Sequence, residues 1–194
     1  MMKDLGAKAV AYGHPMPVMM VATYDENGTV NVMNSHWCTM SEGGHIALCI
    51  GESKKTHSNI EKMRAFTVAL ANREFIKEAD YFGIATGHSV PGKFAKTGMK
   101  AVKSAHVNAP IIEGFPLVME CELAEVIRTE HFHAVIGKIV NVAVDESVLS
   151  DKNKIDVTKT GMLLFDSLSS SYFILGDKVG TAWSEGRNYA ASYE

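Results

Sequence analysis

Residues 31–59 read NVMNSHWCTM, then SEGGHIALCI, then GESKKTHSN. An apolar run stands on either side, VMMVATY at 18–24 and FTVALA at 66–71. Both favour β-structure and are too short for a typical helix. Asp25-Glu-Asn-Gly28 joins the first run to the stretch. Asn-Gly between two β-like runs predicts a hairpin, because both residues tolerate positive φ. The return strand is 29–33. If no bulge intervenes, Asn31, Met33, Ser35 and Trp37 share one face, while His36 and Cys38 share the other. Glu42-Gly43-Gly44 turns the chain into a third strand at 45–50. A loop follows at 51–57, and Ser58-Asn-Ile-Glu61 reads as a capping box opening a short helix that ends near 64.

Working outward, Phe75, Ala79 and Phe82 recur at helical spacing, which predicts an amphipathic helix over 73–84. Residues 87–98 (GHSVPGKFAKTG) form an ordered loop with at most one helical turn, and 105–114 read as irregular. Two longer β-runs follow at 117–127 and 132–144, with Gly137 marking a bulge or bend in the second. Residues 147–157 are polar. Short strands are expected at 162–165 and 172–175. Seven or eight strands joined mostly by short turns, two or three helices and no repeated βαβ spacing give a mainly β fold, an antiparallel barrel with helices packed outside. No repeat or linker divides the chain, so residues 1–194 read as a single domain, with 1–8 and 184–194 as tails.

The bulk composition narrows the function. Apolar residues make up 46% of the 194 and charged residues 21%, the proportions of an ordinary globular domain. The formal charge of −3 carries no footprint for nucleic acid. No apolar run reaches membrane-spanning length, and the N-terminal residues lack the apolar segment of a signal peptide. Three widely spaced cysteines, Cys38, Cys49 and Cys121, suit a reducing cytoplasm rather than a disulfide framework.

Two features of 31–59 carry chemistry that a core does not need. The segment Asn34-Ser35-His36-Trp37-Cys38-Thr39 is polar, aromatic and sulfur-bearing where plain strand is expected. Trp37, flanked by polar residues, suits the wall of a flat aromatic ligand, with Ser35 and Cys38 in the same wall and Asn31 placed to hydrogen-bond ring heteroatoms. The loop supplies Ser53, Lys54, Lys55, Thr56 and Ser58 just where a helix begins. Hydroxyls, cations and helix N–H groups together suit a phosphate. The alternatives are a core tryptophan and a solvated loop whose serine only caps a helix. Lys93-Phe94 repeats the pairing of a cation with an aromatic. No Gly-x-x-x-x-Gly-Lys-Ser/Thr or Gly-x-Gly-x-x-Gly pattern is present, which argues against a P-loop or a Rossmann site. A metal is the rival chemistry: His36-x-Cys38 and His131-x-His133 each set two potential zinc ligands on one strand face.

Taken together, PMPVMMVATYDENGTVNV, SHWCT, KKTHSNI before FTVALA, GKFAKTG, NAPIIEG and HFHAVIGKIV resemble the flavin reductase-like family of FMN-binding split barrels, and within it the flavoredoxin group. The resemblance runs from about residue 8 to 180. It implies a Greek-key barrel that dimerises and holds FMN near the subunit interface. It puts Asn31 and Trp37 beside the flavin ring and makes Thr56 a phosphate ligand, with Ser53, Lys55 and Asn59 as neighbours. It matches Lys93 to the family's Lys-Phe motif, His131 to a histidine preceding a strand, and Phe165 to an aromatic near the ring. The implied function is an NAD(P)H-dependent flavin oxidoreductase. The alternative is an electron carrier of the flavoredoxin kind, with FMN fixed and a redox protein as partner. Neither reading assigns a general acid or base, since the cofactor carries the chemistry.

Overall fold

A computed structural model describes residues 3–4 and 15–190. The tail expected at 1–8 falls outside the described residues except at 3 and 4, and 191–194 fall outside them too. The described strands are β1 (Met16–Pro17), β2 (Met19–Tyr24), β3 (Val30–Ser35), β4 (Cys38–Ser41), β5 (His45–Leu48), β6 (Ala65–Leu70), β7 (Ala101–Lys103), β8 (Pro110–Ile112), β9 (Leu117–Arg128), β10 (His133–Val144), β11 (Leu163–Asp166) and β12 (Ser171–Ile174). The α-helices are α1 (Lys55–Met63), α2 (Ile76–Ile84) and a short α3 (Arg187–Ala190). This exceeds the seven or eight strands expected. The additional ones, among them β1, β4 and the β7–β8 ribbon, whose second strand falls in the region read as irregular, are two to four residues long. Segments that short show no periodicity to read.

Seven strands form one sheet in the order β3-β2-β6-β9-β10-β5-β4, with every pairing antiparallel. Its edge strands, β3 and β4, are separated in sequence only by His36 and Trp37. Three Cα steps span at most about 11 Å, whereas six strand spacings across a flat sheet measure about 29 Å. The sheet therefore curls until its edges meet, giving a half-barrel with a seam between β3 and β4. A second sheet, β1-β11-β12, packs beside it.

The curl explains the continuous apolar runs. Met19 and Val21 of β2 enter one core with Ile46, Leu48, Phe66 and Val135, sealed by Ile60 of α1. Met20 and Ala22 enter a second core with Ala79 and Phe82 of α2, Phe94 and Phe115. A strand buried on both faces has no polar alternation to show. The loop before β3 differs from the expected two-residue turn. Only Gly28 has positive φ (77°), Asn27 does not, and the Asp25 carboxylate accepts from the N–H groups of Asn27 and Thr29. This is a longer loop closed by a left-handed glycine.

Gly137 is the bend the sequence marks: the β9–β10 register shifts between Ile136 and Gly137. The reason is packing. A Cβ on Gly137 would run into the ring of Phe66, which is fully buried. Gly137→Ala is therefore expected to lower the unfolding free energy by about 1–3 kcal/mol, the cost of overpacking a filled core. Urea unfolding at one pH checks it, and an unchanged midpoint would show that Phe66 has room to move.

Candidate functional site

The seam opens into a cleft of about 500 Å³, within the usual range for small-molecule sites. One wall is Met33 to Trp37, the end of β3 and the link across the seam. β3 ends at Ser35, so the alternation expected through Trp37 does not extend past it: His36, expected on the face opposite Trp37, lines the cleft beside it. Facing them are Cys49, Ile50, Gly51, Lys54, Lys55 and Thr56, the exit from β5 and the start of α1. The C-terminal end of α2, from Phe82 to Gly87, and Lys93 complete the lining. The Trp37 carbonyl accepts from the Cys49 N–H at 2.7 Å, which ties the two sides together.

α1 begins four residues earlier than the capping-box reading allows. Its N-cap is Lys54, with no side-chain cap, and Ser58 lies inside the helix. Glu61 is engaged elsewhere: Arg128 Nη2 donates to it at 2.6 Å, and His57 Nδ1 lies 3.3 Å from it. The first N–H groups of α1 thus reach the cleft rim without an intrahelical acceptor. Thr56, in the first turn, is 2% exposed. Its Oγ1 accepts from Asn31 Nδ2 at 2.8 Å, which leaves the hydroxyl hydrogen free to donate.

The loop before α1 is held from outside. Glu52 accepts from Arg128 Nε and lies 3.2 Å from His133 Nε2, while His133 Nδ1 meets the Ile50 carbonyl at 2.9 Å. Gly87 brings the α2 loop against the same corner. A Cβ there would strike the Asn31 side-chain oxygen and come within 3.2 Å of Lys55 Cβ.

Three lysines line the cleft, and each is in a different electrostatic state. Lys55 pairs with Asp25 at 3.1 Å. Lys54 is exposed. Lys93 is only 3% exposed, and its Nζ donates to the carbonyls of Phe82 (3.1 Å) and Ala85 (2.6 Å) at the C-terminal end of α2. Burial, with Lys54 adding to it, pulls the Lys93 ammonium down to about 8.

Of the residues singled out in the sequence, Ser35, Trp37, Lys55, Thr56 and Lys93 meet in this cleft. Asn31 stands at its corner, through Thr56 and a smaller adjoining hollow lined also by Lys55 and Lys93. Phe165 lies behind the wall, stacked on His36 with ring centroids 4.2 Å apart. Cys38 also lies behind it. Its thiol donates to Ser35 Oγ at 3.4 Å and is pushed up to about 11 by burial. Asn59 is buried and donates to Thr23 Oγ1, tying α1 to β2 rather than facing the cleft. Ser53 is exposed in the loop and does not line the cleft. His131 is an exposed residue of the turn between β9 and β10, near Glu130, and does not line the cleft. Among the described residues, no group of three or more His, Cys, Asp or Glu side chains could hold a metal. The two zinc-like pairs do not converge: His36 stacks on Phe165, and His133 meets Ile50 and Glu52.

Sequence reasoning missed the α2 end, residues 82–87, and Cys49. Gly87 is the one available signal, a glycine just past an amphipathic helix. No helix among the described residues is long and apolar enough to cross a membrane.

Residues 11–166 match the flavin reductase like domain family. Among solved structures, the chain is similar to flavoredoxin of Desulfovibrio vulgaris (Miyazaki F). The two are 34% identical, and the match covers 96% of this chain and 100% of that one with a TM-score of 0.88. Flavoredoxin from Methanosarcina acetivorans shares the fold at 22% identity, with 97% and 98% coverage and a TM-score of 0.85. An FMN-binding protein from Thermus thermophilus with bound 1-cyclohex-2-enone shares it at 21% identity, with 93% and 97% coverage and a TM-score of 0.75.

The state of Lys93 predicts a pH dependence. Between about 8 and its ordinary 10.5, the unfolded chain keeps a proton that the folded chain has lost. Stability therefore rises with pH across that window. Against Lys93→Met, the wild type is expected to gain stability from pH 8 upward in urea unfolding. Parallel pH curves for the two proteins would show that the ammonium is not desolvated.

Proposed function

Because the chain belongs to the flavin reductase like domain family, we propose that the cleft binds FMN and that the protein transfers electrons through it. The observation that carries this reading is the charge of the lining. It holds Lys54, Lys55 and Lys93 but no carboxylate, in a chain whose formal charge is −3. The ligand that suits such a lining is an anion with a flat ring. The residues fit FMN in two parts. The uncapped start of α1, the free Thr56 hydroxyl and Lys54 and Lys55 suit the phosphate. The wall from Met33 to Trp37, with Trp37 44% exposed, suits the ring.

When bound, the flavin supplies the redox chemistry. The chain's own residues bind and orient it. Lys93, fixed by two carbonyls, places one positive charge against the cleft, where added negative charge on the ring is favoured and the reduction potential raised. Gly87 lets the α2 loop close on Asn31, and the Glu52–Arg128–His133 contacts hold the phosphate loop in place.

Two donors are compatible with this site, and mixing with NADH and NADPH separates them. The oxidoreductase reading takes hydride from a nicotinamide dinucleotide. The carrier reading takes electrons from a redox protein, and it is favoured by 34% identity to a flavoredoxin over nearly the whole of both chains. Bleaching of the flavin band by either nucleotide within seconds supports the enzyme; a band untouched by both supports the carrier. We further propose a homodimer in which the exposed His131 reaches the cleft of the second copy, and a reducing, cytoplasmic setting for three cysteines that form no disulfide.

Thr56→Ala is expected to weaken FMN binding by about 1–2 kcal/mol, or roughly 5- to 30-fold in Kd, as the Asn31 contact and the free donor are both lost. Quenching of FMN fluorescence measures it, and an unchanged Kd would move the phosphate elsewhere. Trp37→Ala is expected to shift the visible spectrum of bound FMN. An unshifted spectrum with a lowered Tm would return Trp37 to a packing role.

A further inference from the structure

One titratable cleft residue has no task in the reading above. His36 follows the last residue of β3 and lines the cleft. Its ring lies flat on Phe165 of β11, with centroids 4.2 Å and planes 17° apart, and edge-on to Tyr172 of β12 at 6.4 Å. Its Nε2 is sealed from solvent without a hydrogen-bond partner among the described residues. A ring nitrogen so enclosed is costly to leave unpaired and costlier to charge.

The groups around it set opposing fields. Asp80 of α2, which accepts from the Tyr172 hydroxyl at 2.9 Å, favours a charged imidazole. Burial opposes it and prevails, holding His36 below the ordinary histidine range. Cys38, two residues on, has its thiol pushed far above neutrality by burial and contributes no charge. His36 is thus neutral at pH 7, with one carboxylate nearby to support a proton once negative charge enters the cleft.

We propose that His36 is the proton acceptor of the cleft, neutral when the bound ring is oxidised and protonated from solvent when the ring is reduced. The proposal rests on the FMN reading. Two electrons and one proton entering the flavin leave one negative charge in the cleft. A second proton, taken from water, goes to His36 and balances that charge. Two electrons then enter with two protons rather than one. The electrons come from a nicotinamide hydride or a redox protein in use, and from an electrode in the test. A histidine that only packs against Phe165 would keep one protonation state throughout.

The test uses the FMN-loaded protein. Spectroelectrochemical titration between pH 5 and 7, below the range in which Lys93 titrates, is expected to show, in the wild type, a window where the midpoint potential falls with the slope of two protons per two electrons. His36→Gln is expected to keep the one-proton slope throughout. The second measurement needs no variant: the His36 ring resonances of the wild type, titrated by NMR, are expected to move to a pKa higher by roughly one unit or more on reduction. The same slopes in wild type and His36→Gln, or a ring titration unmoved by reduction, overturns the role of His36 and leaves FMN binding intact. Absence of FMN fluorescence quenching by the wild type overturns both.

Discussion

His36 and Trp37 are the whole of the covalent link between the two outermost strands of a seven-stranded sheet. Two residues cannot reach across a flat sheet of that width, so the curl follows from the connection, and with it the enclosed core and the open seam. β3 and β4 meet end to end without pairing along their length, so the seam remains a cleft. The residues that impose the curl also form the wall of the cleft. Fold and candidate site are therefore set by the same dipeptide, which is why Trp37 is half exposed in a run where strand packing would bury it.

The elements around the seam are held by contacts whose cost falls outside it. α1 gives up a side-chain cap, and Glu61, which could have reached back along the helix, is bound by Arg128. The donors left at the helix start face the cleft, where an anion would satisfy them. On the opposite side Lys93 is buried against the last carbonyls of α2, a favourable place for a cation at a helix C-terminus. Desolvation still leaves its proton loosely held. The lysines are therefore not interchangeable: one is neutralised by Asp25, one is desolvated and one is exposed. An arriving anion meets a graded field rather than a simple cluster.

Much of the fold was legible in the sequence because local chemistry set it. The hairpin at 25–29, the bend at Gly137, the amphipathic helix over 73–84 and the paired long strands near the middle of the chain all follow from turn residues, a missing Cβ or periodicity. The misreadings share a cause. Ser58-x-x-Glu61 has the form of a capping box, but Glu61 meets Arg128, which stands 67 residues away in sequence. The ribbon of β7 and β8 is too short to announce itself. Alternation past Ser35 fails because β3 stops there, and only the geometry of the seam shows why.

For the candidate site, the sequence by itself determined which chemical groups are present: an aromatic wall, a hydroxyl- and lysine-rich loop before a helix, and a lysine in a glycine-rich loop. These are properties of residue type and near neighbours, so they survive without coordinates. The tertiary structure alone decided which of them meet. It brought Thr56 to Asn31 and Lys93 to the end of α2, set Phe165 behind His36, turned Asn59 toward Thr23, and left His131 outside its own cleft. Such contacts join residues from 8 to more than a hundred positions apart. Their partners are chosen by the curl of the sheet and the packing on its two faces, which no local pattern encodes.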